Sequence, residues 1–181
     1  MGLENKEIVL GGGCFWCVEA VMELLKGVKS VVPGYMGGTV PGTPTYREIC
    51  SGRTGHAEVV KVVYDPTIIS LSVLFEIFLT THDPTTLNRQ GADVGTQYRS
   101  VIFYGTQEEH VCAEKTFQSL KGYFDQPIVT SLEPKAVFYE AEKEHHNYYS
   151  SNPFQGYCQV VISPKVTKLK AQHSTWLKKE S

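Results

Sequence analysis

Residues 11–20, GGGCFWCVEA, join an apolar segment to a helical pattern, and this junction sets the start of the fold. Residues 6–10, KEIVL, are typical of a short strand, and apolar residues after the junction recur at helical spacing as far as Gly27. Glycines allow the tight turn between the two elements. The pattern therefore predicts that Cys14 lies at the N-terminus of a helix, directly after a strand.

The rest of the chain alternates irregularly between strand and helix patterns. Further strands are predicted at residues 28–35, 58–64, 100–104, 128–132 and 159–162, and helices near residues 46–51, 70–78, 106–124 and 166–176. Ser70 and Thr106 are predicted N-caps, the second in a capping box with Glu109. Residues 83–99 show no regular pattern, and a loop of this length favours a functional role. The order indicates an α+β class with helices packed on one sheet.

The length and charge of the chain exclude several classes of protein. Its 181 residues suffice for one catalytic domain, residues 1–181, in which residues 163–181 are a candidate appended amphipathic helix. A formal net charge of −2 leaves no basic footprint for nucleic acid, and no apolar run approaches the roughly 18 residues that span a membrane. We therefore expect neither a nucleic-acid partner nor a membrane partner.

The cysteines indicate a cellular compartment. Five cysteines are an odd number, and residues 1–13 lack the apolar segment and cleavage site of a secretory signal. Free thiols in a reducing compartment are therefore expected, which predicts a cytoplasmic protein. Cys50 and Cys112 have no distinctive neighbours and are interpreted as structural.

The pair Cys14 and Cys17 admits more than one chemistry. A helix N-terminus lowers the pKa of a thiol, whereas burial beside Phe15 and Trp16 raises it, so the pattern leaves the pKa of Cys14 open. A structural zinc site needs four ligands, and no second CxxC or HxxxH follows, so no metal site is expected. A general thioredoxin-like disulfide oxidoreductase using both cysteines is an alternative. A module that binds methionine-containing peptides without turnover is another.

Two further positions carry candidate chemistry. Glu58 leads into the apolar run VVKVVY, and a carboxyl group buried there keeps its proton and could donate it. Cys158 follows the Pro- and Gly-bearing stretch NPFQGY, and a cysteine on a mobile loop could swing towards a reacting thiol. Either residue could equally be inert, Glu58 as the exposed start of a strand and Cys158 as an unreactive thiol. Polar clusters elsewhere include Tyr46, His56, Asp93, Tyr98, Glu142 and His145.

Several separate motifs follow one another along the chain: GGGCFWCVEA, GYMGG, PTYREICSGRTGHAEVV, HDPTT, QGADVGTQYRSVIF and YYSSNPFQGYC. In this order they resemble the peptide methionine sulfoxide reductase A family, over about residues 8–158. The resemblance implies a ferredoxin-like two-layer α+β sandwich, with helices packed on a mixed sheet and loop-rich additions. It implies thiol-dependent reduction of methionine S-sulfoxide, either in oxidised proteins or as the free amino acid. We expect a monomer with no bound cofactor and with thioredoxin as its external reductant.

The resemblance also implies a role for each matching residue. Cys14 is the nucleophile, and Glu58 protonates or hydrogen-bonds the sulfoxide oxygen. Phe15 and Trp16 form the apolar pocket for the substrate methyl group. The residues that hold the substrate or support the site by hydrogen bonding are Tyr46, Tyr98 and Asp93.

The reaction needs an acid and a thiolate together, because oxide is a poor leaving group. Attack by Cys14 releases methionine and leaves a sulfenic acid, which a second thiol converts into a disulfide that thioredoxin reopens. The resemblance implies Cys158 as that resolving thiol, and we prefer it. Many members of the family have glycine where this chain has Cys17, so Cys17 is the alternative resolver.

Overall fold

A computed structural model describes residues 4–179 of the chain. The strands of its main sheet and of a short hairpin are β1 (Lys6–Gly12), β2 (Val28–Met36), β3 (Ala57–Tyr64), β4 (Arg89–Gln90), β5 (Asp93–Val94), β6 (Ser100–Tyr104), β7 (Ser131–Pro134) and β8 (Tyr139–Glu140). The α-helices are α1 (Phe15–Met22), α2 (Tyr46–Cys50), α3 (Leu71–Thr81), α4 (Gln107–Ser119), α5 (Tyr148–Ser151) and α6 (Ser163–Gln172). Residues 1–3 and 180–181 lie outside the described residues. The first range belongs to the stretch predicted to lack a secretory signal, and the second to the candidate C-terminal helix.

The main sheet runs in the order β7-β6-β1-β3-β2-β8, and β4 pairs with β5 in a separate hairpin. Every neighbouring pair in the main sheet is antiparallel except β6 with β7, which is parallel. Helix α1 packs on β1, β2 and β3, and it also contacts α3 and α6. The chain is therefore a mixed α and β protein with a mostly antiparallel sheet, which confirms the coarse class predicted from the patterns.

Alternate residues of β3 face opposite sides of the sheet. Val60 and Val62 belong to the large apolar core beneath the helices, whereas Ala57 and Val59 belong to a smaller cluster on the other face. Glu58 has the parity of Val60 and therefore points into the helix-covered core. This alternation brings a carboxyl group to the start of α1.

The helix starts predicted from capping residues are confirmed. Ser70 Oγ accepts a hydrogen bond from Val73 N at 3.2 Å, and Thr106 Oγ1 accepts one from Glu109 N at 3.2 Å. The Glu109 carboxylate accepts from Gly105 N at 2.8 Å and not from the N-cap residue itself. The predicted capping box at the start of α4 is therefore only half formed.

The strand predicted at residues 159–162 is wrong, because this segment is helical. Cys158–Ile162 forms a π-helical turn that continues into α6. The run of β-branched residues favours a strand locally, but burial follows a helical period, with Val160 75% exposed. The buried residues at this period are Cys158, Ile162, Val166 and Leu169. Packing of that face on α1 and α3 outweighs the local propensity.

Residues 83–99, predicted without regular structure, contain the β4–β5 hairpin and a 3-10 turn over Thr96–Tyr98. Gly91 has φ +56° and Gly95 has φ +143°, so backbone conformations that favour glycine make the tight reversals possible. Strands of only two residues are too short to produce a recognisable alternation of apolar and polar residues within residues 83–99. The segment nevertheless presents Asp93 to the start of α1, as described below.

Several predicted boundaries differ from those in the structure, and the helix predicted to reach residue 124 ends at Ser119. The first helix ends at Met22 and not near Gly27, because the chain then turns and Lys26 N donates to Trp176 O at 2.7 Å. The last helix ends at Gln172, with Trp176 in a separate 3-10 turn. The strand expected at residues 128–132 begins later, at β7. Across residues 4–179, no helix combines the length and apolar character needed to cross a membrane.

Candidate active site

The thiol of Cys14 lies where β1 passes into α1. Gly13 has φ +92°, and a Cβ there would meet the Gln90 side chain at 2.6 Å, so this turn requires glycine. Cys14 occupies the N-cap position of α1, and its side chain makes no capping hydrogen bond. It is buried, with 6% of its surface exposed. The strand, the glycine turn and the helix start were all predicted, and they hold Cys14 at the edge of the core.

Glu58 is the carboxyl group beside this thiol. It is 1% exposed, its Oε1 accepts from Phe15 N at 3.2 Å, and its Oε2 has no hydrogen-bond partner. Burial raises the pKa of Glu58 to about 8, while the Phe15 N–H opposes the shift and the negative charge of Asp93 adds to it. Glu58 therefore holds its proton at neutral pH, with one oxygen free to donate.

The two thiols of the CxxC motif have different pKa values. Burial raises the pKa of Cys14 well above its usual value, and hydrogen bonding to Cys17 and the charge of Glu58 act in the same direction. Hydrogen bonding with Cys14 lowers the pKa of Cys17 to about 7, and the positive charge of Lys165 helps against the opposing effect of burial. Burial thus outweighs the helix N-terminus at Cys14, and of the two thiols Cys17 ionises more readily.

Asp93 reaches the site through a tyrosine. Tyr157 OH donates to Asp93 Oδ2 at 2.7 Å and lies 3.8 Å from Cys17 Sγ. This contact ties β5 to the segment that precedes α6, so two stretches far apart in sequence meet beside the thiols. Tyr157 was not among the predicted site residues, although it directly precedes Cys158 in the motif GYC.

Aromatic rings form a wall next to Cys14. The Phe15 and Tyr46 rings lie 6.2 Å apart, centroid to centroid, with 19° between their planes, and the Trp16 and Tyr46 rings lie 6.4 Å apart at 26°. Tyr148 stacks face to face on Trp16, with centroids 3.7 Å apart and 7° between the planes. Trp16 Nε1 donates to His145 Nδ1 at 3.3 Å. The indole ring is therefore fixed at both its face and its edge.

Glu142 supports this wall from behind. Its Oε1 accepts from Tyr46 N at 3.1 Å and its Oε2 from Tyr35 OH at 3.4 Å, while His145 Nε2 lies 3.2 Å from the same Oε2. Within residues 4–179, Glu142, Glu144 and His145 form a group whose side chains are close enough to share a metal ion. Because Nδ1 of His145 accepts the indole N–H, its proton sits on Nε2, and the neutral ring has no free lone pair for a metal.

A family model described as peptide methionine sulfoxide reductase matches residues 6–178. The chain belongs to the peptide methionine sulfoxide reductase family. It is similar to the peptide methionine sulfoxide reductase MsrA of Deinococcus radiodurans, with 54% identity over 179 residues that cover 98% of this chain and 86% of that protein.

Solved structures of the family share the fold of this chain. Mxr1 from Saccharomyces cerevisiae in reduced form matches with a TM-score of 0.81 at 35% identity, covering 86% of this chain and 90% of that one. Mxr1 in complex with Trx2 matches with a TM-score of 0.57 at 26% identity, covering 80% of this chain and 85% of that one.

Most residues that the family motifs point to converge on Cys14. Tyr98 ends the 3-10 turn after β5, and burial raises its pKa, as do the charges of Glu58 and Asp93. Tyr46 begins α2, and burial together with the charge of Glu58 raises its pKa as well. Both phenols therefore keep their protons and can donate hydrogen bonds at neutral pH.

Cys158 does not lie on an exposed loop, which corrects the interpretation of NPFQGY as a mobile support. It begins the π-helical turn, and its side chain is fully buried because the turn packs on the core. Burial raises the pKa of the Cys158 thiol, and the negative charge of Cys17 adds to this effect. Cys17 therefore influences the pKa of both Cys14 and Cys158.

Several residues of the site carried only weak signals in the sequence. Glu142 and His145 were noted as a polar cluster, but nothing in their spacing indicates contact with Trp16. A search for aromatic residues flanking the cysteine motifs would have found Tyr157. Tyr148 opens the motif YYSSNPFQGYC but had no role assigned to it, and Glu19 and Lys165 were visible only as residues in or next to helical patterns.

Proposed function

We propose that this chain reduces the S epimer of methionine sulfoxide to methionine through a sulfenic acid on Cys14. The activity is thiol-dependent methionine sulfoxide reduction, the reaction of the family to which the chain belongs. The observation that carries the assignment of residues is the carboxyl group of Glu58, which is protonated, buried and unpartnered at Oε2 beside the thiol.

In the first step the Cys14 sulfur attacks the sulfoxide sulfur while Glu58 protonates the oxygen. The oxygen ends on Cys14 as a sulfenic acid, methionine leaves, and two electrons pass from the thiol to the substrate. Cys17 accepts the Cys14 proton, because the two thiols share a hydrogen bond and the pKa of Cys17 is near 7. The electrostatic interactions that favour these transfers are stronger in a buried site than they would be in water.

The aromatic wall binds the methyl group of the substrate. Phe15 and Trp16 exclude water from one side of the sulfur, and a chiral sulfoxide can then present its oxygen to Glu58 in only one configuration. Tyr46 and Tyr98 donate hydrogen bonds to the sulfoxide oxygen as its negative charge is neutralised. Selection between the epimers follows from this fixed arrangement of wall and proton donor.

Resolution begins with Cys17 and ends with Cys158 in this proposal, which reverses the preference derived from the sequence. Cys17 is hydrogen-bonded to Cys14, and its low pKa supplies the thiolate that attacks the sulfenic acid and releases water. Cys158 is fully buried and its pKa responds to the charge of Cys17, so in this proposal it exchanges into the Cys14–Cys17 disulfide after the π-helical turn moves. A disulfide that includes Cys158 is the form that a reductant then reopens.

Thioredoxin is the proposed reductant, with no bound cofactor, and the complex of yeast Mxr1 with Trx2 supports this choice. Oxidised proteins and free methionine sulfoxide are the proposed substrates. The chain is proposed to be a cytoplasmic monomer that consists of one catalytic domain. A ferredoxin-like sandwich is proposed for the fold. The succession β1-α1-β2-β3-α3-β6 and the sheet order β6-β1-β3-β2 support it.

The proposal is tested by incubating the reduced protein with each sulfoxide epimer of a methionine peptide, without reductant, and mapping cysteine products by mass. The S epimer is expected to yield methionine, first a Cys14–Cys17 disulfide and then a disulfide that includes Cys158, and the R epimer to remain unchanged. Cys14→Ser abolishes turnover, whereas Cys112→Ser on α4 is the matched control and retains it. An unmodified Cys14 after exposure to the S epimer contradicts the assignment.

Single cysteine variants separate the two resolving steps. In Cys17→Ser, Cys14 accumulates as a sulfenic acid that a dimedone probe labels. In Cys158→Ser, the first disulfide forms at the normal rate but thioredoxin recycles it slowly. Rapid reduction of insulin disulfides by the wild-type protein, without sulfoxide reduction, would instead favour the general disulfide oxidoreductase.

A further inference from the structure

Glu19 is a buried carboxylate that the reaction does not use. It lies on α1, three residues after Trp16, and is 1% exposed. Its Oε2 accepts from Asn147 N at 3.0 Å, and its Oε1 accepts from Tyr148 N at 3.2 Å. Both oxygens therefore bind the backbone of a segment more than a hundred residues away.

The backbone that Glu19 binds is in an unusual conformation. Asn147 has φ +54°, in the left-handed region, and it occupies the N-cap position of the short helix α5 without a side-chain capping bond. Asparagine tolerates this region better than most residues, but the turn still leaves backbone N–H groups unpaired. Glu19 supplies the acceptors that the turn lacks.

This turn places the ring that supports the indole. Tyr148 follows Asn147 directly and stacks on Trp16 with centroids 3.7 Å apart. Trp16 and Glu19 lie one helical turn apart on α1, so they share a face of that helix. Glu19 therefore binds the turn that carries Tyr148, and Tyr148 stacks on Trp16, which lies on the same helix as Glu19. His145, which accepts the indole N–H, lies two residues before Asn147 in the same segment.

We infer that Glu19 is a positioning residue for substrate recognition, which holds the Asn147 turn so that Tyr148 fixes the indole wall. The inference rests on the proposed function only in giving Trp16 contact with the substrate. Glu19 touches neither the substrate nor the reacting sulfur. Its effect passes through Tyr148 to the orientation of one ring.

A carboxylate suits this position better than an amide of the same size. Both bound groups are N–H donors, so the amide nitrogen of glutamine would face one of them donor to donor. Glu19→Gln is therefore a near-isosteric change that removes one acceptor. We expect KM for an S-sulfoxide peptide to rise about tenfold, because a buried N–H loses its partner and the wall loosens. The single-turnover rate at saturating substrate should change less than threefold.

Glu23→Gln is the matched control. Glu23 lies one turn further along, is also partly buried, and interacts with Glu19 and Lys178 and not with the Asn147 turn. Its KM and single-turnover rate should match those of the wild-type protein within a factor of two. A rise in KM in both variants would show a general effect of the helix charge and would overturn the inference.

A spectroscopic measurement reads the ring directly. Trp16 and Trp176 are the two tryptophans of the chain, so Trp176→Phe leaves Trp16 as the only indole. In this background Glu19→Gln should shift Trp16 emission to longer wavelength and increase quenching by acrylamide, whereas Glu23→Gln should not. Unchanged emission in Glu19→Gln would contradict the inference even if KM rose.

A double-mutant cycle tests the route through Tyr148. Tyr148→Ala removes the stacked ring, and Glu19→Gln in that background should raise KM by less than a further twofold. Full additivity would overturn the route. If Glu19→Gln does not fold, Asn147→Gly, which keeps the left-handed turn, should retain wild-type emission while Asn147→Val should not; equal behaviour of these two would count against the inference.

The emission experiment and the sulfoxide assay fail independently. If the wild-type protein reduces no sulfoxide, the proposed function is wrong, but the emission of Trp16 still tests whether Glu19 positions the ring. If the wild-type protein reduces the S epimer but Glu19→Gln leaves the emission of Trp16 unchanged, the proposed function stands and the positioning role is wrong.

Discussion

Glu58 on β3 binds the first residue of α1, and Glu19 lies on α1 itself, so the two buried carboxyl groups can be compared directly. Each is 1% exposed, and each accepts a backbone N–H. At Glu19 both oxygens are paired with N–H groups, whereas at Glu58 one oxygen has no partner. The number of satisfied oxygens, and not the depth of burial, distinguishes the two.

The physical reason is the cost of an unpaired charge in a medium of low dielectric constant. Burial raises the pKa of both groups. Two N–H groups oppose the shift at Glu19 and allow it to serve as an acceptor for a strained turn. At Glu58 a bare oxygen makes ionisation costly, so the group keeps a proton that it can transfer. An unpartnered buried carboxyl beside a thiol is thus the stronger indication of function.

The largest expected effect is on the chemical step. Glu58→Gln keeps the acceptor for Phe15 N but has no transferable proton, so the single-turnover rate should fall by about 10²–10⁴. Glu19→Gln should change the same rate less than threefold. Rapid-quench measurement of methionine formed per Cys14 checks both. Equal losses in the two variants would remove the distinction drawn between them.

The pH dependence of that rate is the next test. Glu58 must be protonated to act, and its pKa is about 8, so the single-turnover rate should fall about tenfold per unit as pH rises above 8. Glu19→Gln should keep this alkaline limb, because Glu19 donates no proton. Glu58→Gln should lose it. A limb that survives in Glu58→Gln would assign the titration to another group.

Stability should respond in opposite senses at the two sites. The folded pKa of Glu58 lies above its unfolded value, so below pH 4.5 its contribution is fully present, and it is lost as pH rises to about 8. Glu58→Gln should therefore gain stability relative to the wild-type protein across this window. Glu19→Gln should instead lose about 1–3 kcal/mol, because a buried N–H is left unpaired. Urea unfolding at pH 4 and pH 8 measures both, and a loss of stability in Glu58→Gln at pH 8 would contradict the first expectation.

The smallest effect should come from Asp93→Asn. The negative charge of Asp93 adds to the raised pKa of Glu58, but burial is the larger cause. Removing the charge should therefore move the alkaline limb to lower pH by a fraction of a unit, with the limb itself retained. The pH profile of the single-turnover rate measures this shift. A shift to higher pH would contradict this electrostatic effect of Asp93 on Glu58.

Local patterns predicted the part of the site that is contiguous in sequence. Cys14 after a strand and a glycine turn, the adjoining Phe15 and Trp16, and Glu58 at the head of a buried strand all follow from spacing and hydrophobicity. These features depend on interactions between residues a few positions apart, which a sequence shows directly. The burial of Glu58 itself stayed open in the sequence, and the alternation with Val60 in the folded sheet decides which face it occupies.

Other parts depend on contacts between distant residues, and patterns could not reach them. The run that follows Cys158 has strand propensity, yet burial of its helical face decides its structure. Nothing in the sequence pairs Glu19 with Asn147, or Tyr157 with Asp93. The opposite pKa shifts of Cys14 and Cys17 likewise arise only when burial, Glu58 and Lys165 are assembled around them.

The sequence by itself determined the family, and its short motifs pointed to Cys14 as the proposed nucleophile, Phe15 and Trp16 as its aromatic neighbours and Glu58 as the proposed acid. Only the tertiary structure decided that burial raises the pKa of Glu58, that the pKa of Cys14 is raised while that of Cys17 is lowered, and that Cys158 is buried in a helical turn. The physical reason is that desolvation and hydrogen-bond pairing are properties of a folded interior. They depend on which distant groups surround a side chain, and chain order does not record that.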